Sequence, residues 1–227
     1  MNRRMPGDGC SSSSGSIRID ATPAATVVGA LGSPIQPPAT ADCERILESW
    51  WGQPVNTVTS MGFVVAAGLV WWHRRDLPTA VLLAAIGAGS IAFHGPMPAW
   101  GEFLHDASIV LTLAWILLVE AGKERFWPLA FAVGLAVSAT PVVADPVQAL
   151  LAVAAIGAIL AVSRRGPRRL TAVGIVATGA LVGTLSRTGG PLCVPDSVWQ
   201  GHGLWHIAAA AGLALWALAI RDVRLET

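Results

Sequence analysis

Seven long apolar segments, separated by short polar stretches, make up most of the chain beyond residue 41. A membrane-spanning helix needs about 20 largely apolar residues, and these runs lack the alternation typical of membrane barrel strands. The pattern predicts an all-α integral membrane protein, a seven-transmembrane-helix bundle. The predicted spans are 55–72, 77–95, 102–122, 126–143, 146–163, 169–186 and 201–220. The fourth and fifth meet at 139–146, a stretch that also fits a single broken hairpin.

The two ends of the chain differ from this apolar core. Residues 1–41 contain a serine run and a proline-rich stretch, which are typical of a flexible tail. The longest apolar run in this tail, 25–32, is too short for a signal peptide, so we expect none. The predicted organisation is an N-terminal tail over 1–41, a membrane domain over 42–222 and a cytoplasmic tail over 223–227.

Composition narrows the class of protein. Hydrophobic residues make up 53% of the chain and charged residues 13%, against about 25% charged in ordinary soluble domains. This excludes a soluble globular enzyme, a nucleic-acid-binding protein and a disordered chain. The net charge of +1 indicates no strongly charged partner, and no protein partner is evident.

The basic residues predict the orientation. Ten of the fifteen lysines and arginines lie in loops or ends that share one side of a seven-span chain, whereas the opposite short loops hold only Arg187. Basic residues concentrate on the cytoplasmic side, so the N-terminus is predicted to face out and the C-terminus the cytoplasm, in a bacterial inner membrane. Interfacial tryptophan belts are expected on both sides: Trp71, Trp72 and Trp216 inside, and Trp50, Trp51, Trp100 and Trp199 outside.

Four of the five histidines are predicted at one membrane depth, near the outer leaflet. His94 closes the second span, His105 lies in the first turn of the third, and His202 and His206 open the seventh. His73 falls at the cytoplasmic side and is expected to be solvated.

The histidine spacing predicts a metal site. His202 and His206 are four residues apart and project from one helical face, which is the usual helix-borne half of a zinc site. Asp106 is a carboxylate within a span, and such a group normally faces a cavity. Each residue alone has a plainer interpretation: a hydrogen-bonded histidine pair, a structural ion-pair partner or, for Ser90, a packing residue. As a set at one depth they predict Zn²⁺ held by His94, His202 and His206, with Asp106 beside it.

Two polar residues close to Asp106 in the sequence are not expected to bind the metal. Adjacent helical residues diverge by about 100°, so His105 is not expected to face the metal together with Asp106. Glu102, one turn before Asp106, is expected at the membrane interface.

These motifs are similar to those of a known superfamily. Ser90-x-x-x-His94, then Asp106, then His202-x-x-Trp205-His206 resembles the CREST superfamily of seven-helix membrane hydrolases. Its members include alkaline ceramidases, progestin and adiponectin receptors with haemolysin III proteins, and the Per1 group. The resemblance covers about 42–220, and three stretches favour the alkaline ceramidase branch: Asp42-Cys43-Glu44, Asn56-Thr57 and Cys193.

The resemblance implies a zinc-dependent hydrolase that cleaves the amide bond of a ceramide-like membrane lipid. Carried over by position, the zinc ligands are His94, His202 and His206, and the catalytic residues are Ser90 and Asp106. Some members also hold calcium through acidic residues before the first span, and Asp42 and Glu44 match those in type, with Glu48 nearby. The spacing from Cys43 to Asn56 is shorter than in the family, and Gln53 stands where an acidic ligand is expected.

The cysteines fall on the predicted outer side. Cys43 and Cys193 both lie outside the spans in an oxidising compartment, where a disulfide can persist, although sequence alone leaves two free thiols open. The resemblance favours the disulfide, because some members have such a bridge. Cys10 is left over in the tail.

Other functions compete with the ceramidase interpretation. One is a hydrolase of a lipid ester or a different amide with the same metal set, and another is a receptor-like or haemolysin III-type protein with structural zinc. A retinal-binding protein is excluded, because its Schiff base needs a lysine within a helix and the single lysine, Lys123, falls in a predicted loop. A transporter is disfavoured, because the spans show no matching broken pair.

Overall fold

The computed structural model describes residues 42–162 and 166–224, and this part of the chain is predominantly helical. It contains seven α-helices and one 3-10 turn at Glu124–Phe126, and it contains no β-strand. The helices are α1 (Pro54–Arg74), α2 (Leu77–His94), α3 (Gly101–Ala121), α4 (Trp127–Ser138), α5 (Pro141–Val162), α6 (Pro167–Leu185) and α7 (Gly201–Arg224). The predicted N-terminal tail and residues 225–227 lie outside the described residues.

Local sequence signals set several helix ends. Asp76 caps α2 by accepting hydrogen bonds from the Thr79 backbone N–H at 3.2 Å and from the Thr79 hydroxyl at 2.7 Å, which satisfies a donor that the first turn leaves unpaired. Pro54 begins α1, in the first-turn position where the missing N–H of proline costs nothing. Gly122 ends α3 with φ 64°, a left-handed conformation that glycine adopts without strain.

The boundary between the fourth and fifth predicted spans is displaced in the structure. α5 begins at Pro141 rather than at 146, because the Thr140 carbonyl accepts hydrogen bonds from the N–H groups of Val143 and Ala144 and starts the helix there. Pro146 therefore lies inside α5, where it removes one backbone hydrogen bond without ending the helix.

Six helices are long and apolar enough to cross a membrane, and they are all of the described α-helices except α4. The 12 residues of α4 give about 18 Å of helix, short of the roughly 30 Å of a bilayer core. The protein thus has the predicted all-helical membrane architecture, but the fourth predicted span is a short helix.

The six long helices surround a central cavity, and α4 lies outside them. α1 packs between α2 and α7, α3 packs between α2 and α5, α6 packs against α7, and the contact between α5 and α6 is small. α4 contacts α3 and α5. A Cβ on Gly89 would lie 2.9 Å from both the Cα of His105 and the carbonyl oxygen of Leu104. Glycine there lets α2 and α3 approach closely.

One end of the bundle, which we call the disulfide end, is covered by two connecting segments. Residues 42–53 precede α1, and residues 186–200 join α6 to α7. A disulfide joins Cys43 to Cys193, with Cα atoms 5.4 Å apart, and an Arg45–Asp196 ion pair at 2.7 Å lies beside it. Gln53 also hydrogen-bonds through its backbone N–H to the carbonyl of His94 at 2.7 Å. The two segments are thereby fixed to each other and to the end of α2.

The opposite end, which we call the basic end, gathers several arginines. The Arg74 guanidinium donates to the Leu218 carbonyl, and Arg169 donates to Glu120 at 2.9 Å. Trp216 was predicted to lie in an interfacial belt, and this prediction is wrong: only 2% of its surface is exposed. Its face of α7 points inward, and its indole N–H donates to Glu120 at 2.7 Å. Trp72, by contrast, is 71% exposed.

Candidate metal centre

Three histidines from two helices converge beneath the disulfide end. His94 is the last residue of α2, and His202 and His206 lie on one face of the first two turns of α7. Their ring centroids are 5.0, 5.1 and 4.5 Å apart. One nitrogen from each ring lies within 4.8 Å of the other two. The structure thus brings together the three residues that the sequence singles out as metal ligands.

The free nitrogens of these rings are the informative feature. The Nε2 atoms of His94, His202 and His206 are all buried, and none has a hydrogen-bond partner in the described structure. A buried polar atom without a partner is costly, and three of them at one place are unusual in a packed interior. A metal ion bound at this point would satisfy all three.

The Nδ1 atoms, by contrast, are each held by an acceptor. The Nδ1 of His94 lies 2.7 Å from Gln53 Oε1, that of His202 lies 3.1 Å from Asp42 Oδ1, and that of His206 lies 3.2 Å from the Asn56 carbonyl oxygen. A carbonyl or carboxylate oxygen only accepts, so each Nδ1 carries the proton and each Nε2 keeps a lone pair. This tautomer is the one in which a neutral imidazole ligates metal through Nε2.

Gln53 is held in turn by its own partners. Its amide nitrogen donates to the Glu44 carbonyl oxygen at 2.9 Å, which leaves Oε1 directed at His94. Gln53 is completely buried. The motif resemblance leads one to expect an acidic calcium ligand at this position, whereas in the structure Gln53 orients a histidine.

The Asp42 carboxylate lies close to two of the three histidines. One carboxylate oxygen faces His202, and the other lies 3.8 Å from His94 Nδ1. Burial raises the pKa of Asp42 to about 6, an effect that the nearby His105 and Arg187 oppose. Asp42 therefore contacts the ring of His202 and also lies near the ring of His94, which Gln53 holds.

Glu44, the other candidate calcium ligand, has both carboxylate oxygens occupied. They accept hydrogen bonds from the backbone N–H groups of Val55 and Asn56 at 2.6 and 2.8 Å, which caps the first turn of α1. Burial raises the pKa of Glu44 above its usual value, although these two N–H groups oppose the change. Glu48 is exposed. Among the described residues, the histidine trio is the one group of three or more His, Cys, Asp or Glu close enough to hold a metal ion.

A cavity of about 560 Å³ opens beside the histidines. Ser90 and Asp106 line it together with His202 and His206, and their exposed fractions are 1% and 7%. The serine hydroxyl and the carboxylate predicted as catalytic therefore share one cavity with two of the three candidate ligands. Glu102, predicted at the interface, also lines this cavity.

His105 is not part of the histidine trio that could hold a metal, and it contacts Asp106 instead. Its Nδ1 lies 3.1 Å from Asp106 Oδ1, and its ring stacks on Phe93 with centroids 4.7 Å apart. The 100° divergence of neighbouring side chains applies at Cβ, but the length of the histidine side chain brings the ring back to the carboxylate. His105 thus holds Asp106 and lines the cavity with it.

Several polar residues outside the histidine motif support the site through contacts that the sequence did not predict. Gln53 and Asp42 hold two rings, and Ser60 lies 3.2 Å from the Nδ1 of His206. Gln148 on α5 lines the cavity with a buried amide nitrogen that has no hydrogen-bond partner. A signal for these residues is present in the sequence, because Gln53, Asn56, Thr57 and Ser60 are polar residues at the start of an otherwise apolar helix.

Comparison with known proteins adds no assignment. No protein-family model matches the chain, and no curated protein matches it.

Proposed function

We propose that this protein is a zinc-dependent intramembrane hydrolase that cleaves the amide bond of a ceramide-like lipid. The products are a fatty acid and a sphingoid-type amine. The observation that carries the proposal is the set of three buried, unpartnered Nε2 atoms at the head of a largely apolar cavity that also holds Ser90 and Asp106. The motif resemblance to alkaline ceramidases supplies the reaction class.

The donor set favours zinc among the divalent ions. Three neutral imidazoles leave a fourth tetrahedral position open, which is the pattern of catalytic rather than structural zinc sites. His94, His202 and His206 would hold the ion. When bound, zinc lowers the pKa of a ligated water toward about 7 and polarises a carbonyl group.

The protein's own residues then carry the proton and the charge. Asp106 accepts a proton from the attacking water and passes it to the leaving amine nitrogen as the C–N bond breaks. The Ser90 hydroxyl donates to the carbonyl oxygen as it gains negative charge, a contribution of roughly 3–4 kcal/mol for a well-placed donor. His105 keeps the Asp106 carboxylate turned toward the cavity, and the apolar walls take the acyl chain.

The same geometry supports a seven-crossing topology. α3 and α5 run in the same direction. Glu102 and Asp145, near their starts, are close enough to interact electrostatically, and Ile116 and Ile159, toward their other ends, both line the cavity. The chain between them must return from one end to the other. α4 with its flanking residues makes that return, so a short helix acts as the fourth crossing.

Orientation follows from charge and disulfide. The basic end carries the arginine-rich loops, which are typical of the cytoplasmic side, and the disulfide end fits an oxidising compartment. We therefore place the N-terminus outside, the C-terminus in the cytoplasm and the metal site near the outer leaflet of a bacterial inner membrane. Trp50, Trp51, Trp100 and Trp199 are all exposed at the outer end, as an interfacial belt requires.

The decisive experiment combines elemental analysis of the purified protein with a hydrolysis screen over ceramides, other N-acyl lipids and lipid esters. The proposal expects about one zinc per chain and release of fatty acid from the N-acyl substrates. Turnover of esters alone would assign a lipid esterase. Stoichiometric zinc with no turnover of any lipid would favour a receptor-like protein with structural zinc.

A further inference from the structure

The cavity extends lengthwise through the bundle, from the metal site toward the basic end. Its walls come from all six long helices, and α4 contributes nothing. At the metal end it meets His206 and Asp106. At the far end it meets Trp216 and three residues at the same level on other helices, and no described residue beyond these four lines it. We call these four residues the floor: Ile116, Ile159, Ala172 and Trp216.

The depth of the cavity can be read from two helices. His206 and Trp216 lie on α7, and Asp106 and Ile116 lie on α3, with the same sequence interval in each pair. Each interval corresponds to about 15 Å of helix, the length of an extended chain of roughly a dozen methylene groups. The space between metal and floor therefore suits a medium-length acyl chain.

The floor is held rigidly. The Trp216 indole N–H donates to one oxygen of Glu120 at 2.7 Å, and Arg169 donates to the other at 2.9 Å. The side chains of Arg169 and Glu120 are only 5% and 2% exposed. Breaking a buried, paired charge is strongly unfavourable, so this pair fixes the indole against the end of the cavity.

The wall above the floor includes small side chains among larger apolar ones such as Ile109, Leu113 and Leu213. Ala152 and Ala155 on α5 and Ala209 on α7 face the cavity between the metal end and the floor. The small residues leave room beside the larger ones, and the indole of Trp216 occupies the far end of the cavity.

We infer that Trp216, held by the Glu120–Arg169 pair, sets the upper length of the acyl chain that this protein accepts. This inference rests on the proposed lipid-amide hydrolysis. Acyl chains that reach the indole are accommodated, and longer ones are excluded or bound with their amide group displaced from Ser90 and Asp106. Trp216 acts on specificity and touches neither the metal site nor the reacting atoms.

The test uses the full-length protein in lipid nanodiscs and two substitutions with opposite expected effects. Trp216→Ala removes the floor, and Ala152→Phe fills the channel midway. Each has a matched control on a surface that faces away from the cavity: Trp72→Ala on α1, and Ala154→Phe on α5, where Ala154 is exposed. If Trp216→Ala is not recovered folded with its metal, Trp216→Phe serves in its place, with a smaller shift expected in the same direction.

Two readouts separate the inference from the proposed function. The first is competitive hydrolysis of an N-acyl sphingosine mixture with saturated chains of 8 to 18 carbons, with product fatty acids quantified by mass spectrometry. The second is equilibrium binding of the matching free fatty acids, measured by native mass spectrometry, which needs no turnover. Metal content is measured for every variant.

The expected result is an optimum near a dozen carbons in the unmodified protein. It should move to longer chains by several carbons in Trp216→Ala, move to shorter chains in Ala152→Phe, and stay in place in both controls. If binding shifts in this way while no N-acyl lipid is hydrolysed, the length limit stands and the proposed reaction falls. If hydrolysis or binding profiles are the same in all five proteins, the inference is overturned.

Discussion

The amide oxygen of Gln53 lies 2.7 Å from the Nδ1 of His94, and the two residues are completely buried. Through this contact, a residue in the segment before α1 decides which nitrogen of a histidine at the end of α2 is free. Gln53→Ala should lower metal affinity by about 10–100-fold, as loss of an outer-shell partner typically does. Gln53→Glu keeps the acceptor and should retain tighter binding than Gln53→Ala. Chelator competition measures both, and equal affinities for the two variants would contradict the assignment.

Removal of a ligand should empty the site. His202→Ala is expected to leave purified protein with little bound metal, because two imidazoles do not hold a catalytic zinc tightly. His73→Ala is the matched control, since His73 is exposed on α1 and should leave the metal content unchanged. Elemental analysis checks both. A full equivalent of metal in His202→Ala would show that the ion binds elsewhere.

Substitution of Asp106 should reduce turnover without reducing metal binding. Asp106→Asn preserves the size of the side chain and removes the proton acceptor, so metal content should stay near that of the unmodified protein while hydrolysis falls by about 10²–10⁴-fold. Glu48→Gln, an isosteric change at an exposed position, is the control for both measurements. Unchanged hydrolysis by Asp106→Asn would remove Asp106 as the base.

His105 should act on Asp106 rather than on the metal. His105→Ala leaves the three ligating rings in place and releases the carboxylate from its 3.1 Å contact. We expect a fall in kcat with little change in metal content, and a changed pH profile of the rate. His105→Gln, which retains a hydrogen-bonding group, should recover part of the rate. Loss of metal from His105→Ala would instead make His105 a ligand.

The disulfide should support the site from a distance. It closes a long loop, and bridges of this kind contribute on the order of 2–5 kcal/mol in small domains. Cys43 neighbours Asp42, which holds His202, so Cys43→Ser should lower both the thermal midpoint and the metal affinity. Cys10→Ser is the matched control. A Cys43→Ser protein as stable and as metal-rich as the parent would limit the bridge to a role in folding.

Much of the architecture was predictable from local pattern. Run length and hydropathy identified the helices, because a bilayer imposes a minimum apolar length. The α4–α5 boundary was misplaced, because the predicted fifth span begins at residue 146. Hydrogen bonds to the Thr140 carbonyl start the helix earlier and put Pro146 within its first two turns.

The sequence by itself determined the class of protein and the face that His202 and His206 share, since both depend on neighbours within a few residues. The alternating direction of the spans also predicted the membrane depth of each helix end, which placed His94 level with that pair.

Only the tertiary structure decided what each side chain touches. The hydrogen bonds of Gln53 to His94 and of Asp42 to His202 join positions far apart in the chain, and no periodicity encodes such a contact. The pairing of His105 with Asp106 depends on side-chain rotation, and the burial of Trp216 depends on Glu120 and Arg169 arriving from α3 and α6. The helical period gives the direction in which a side chain points from the axis of its own helix. A metal site and a cavity floor also depend on how several helices are placed against one another.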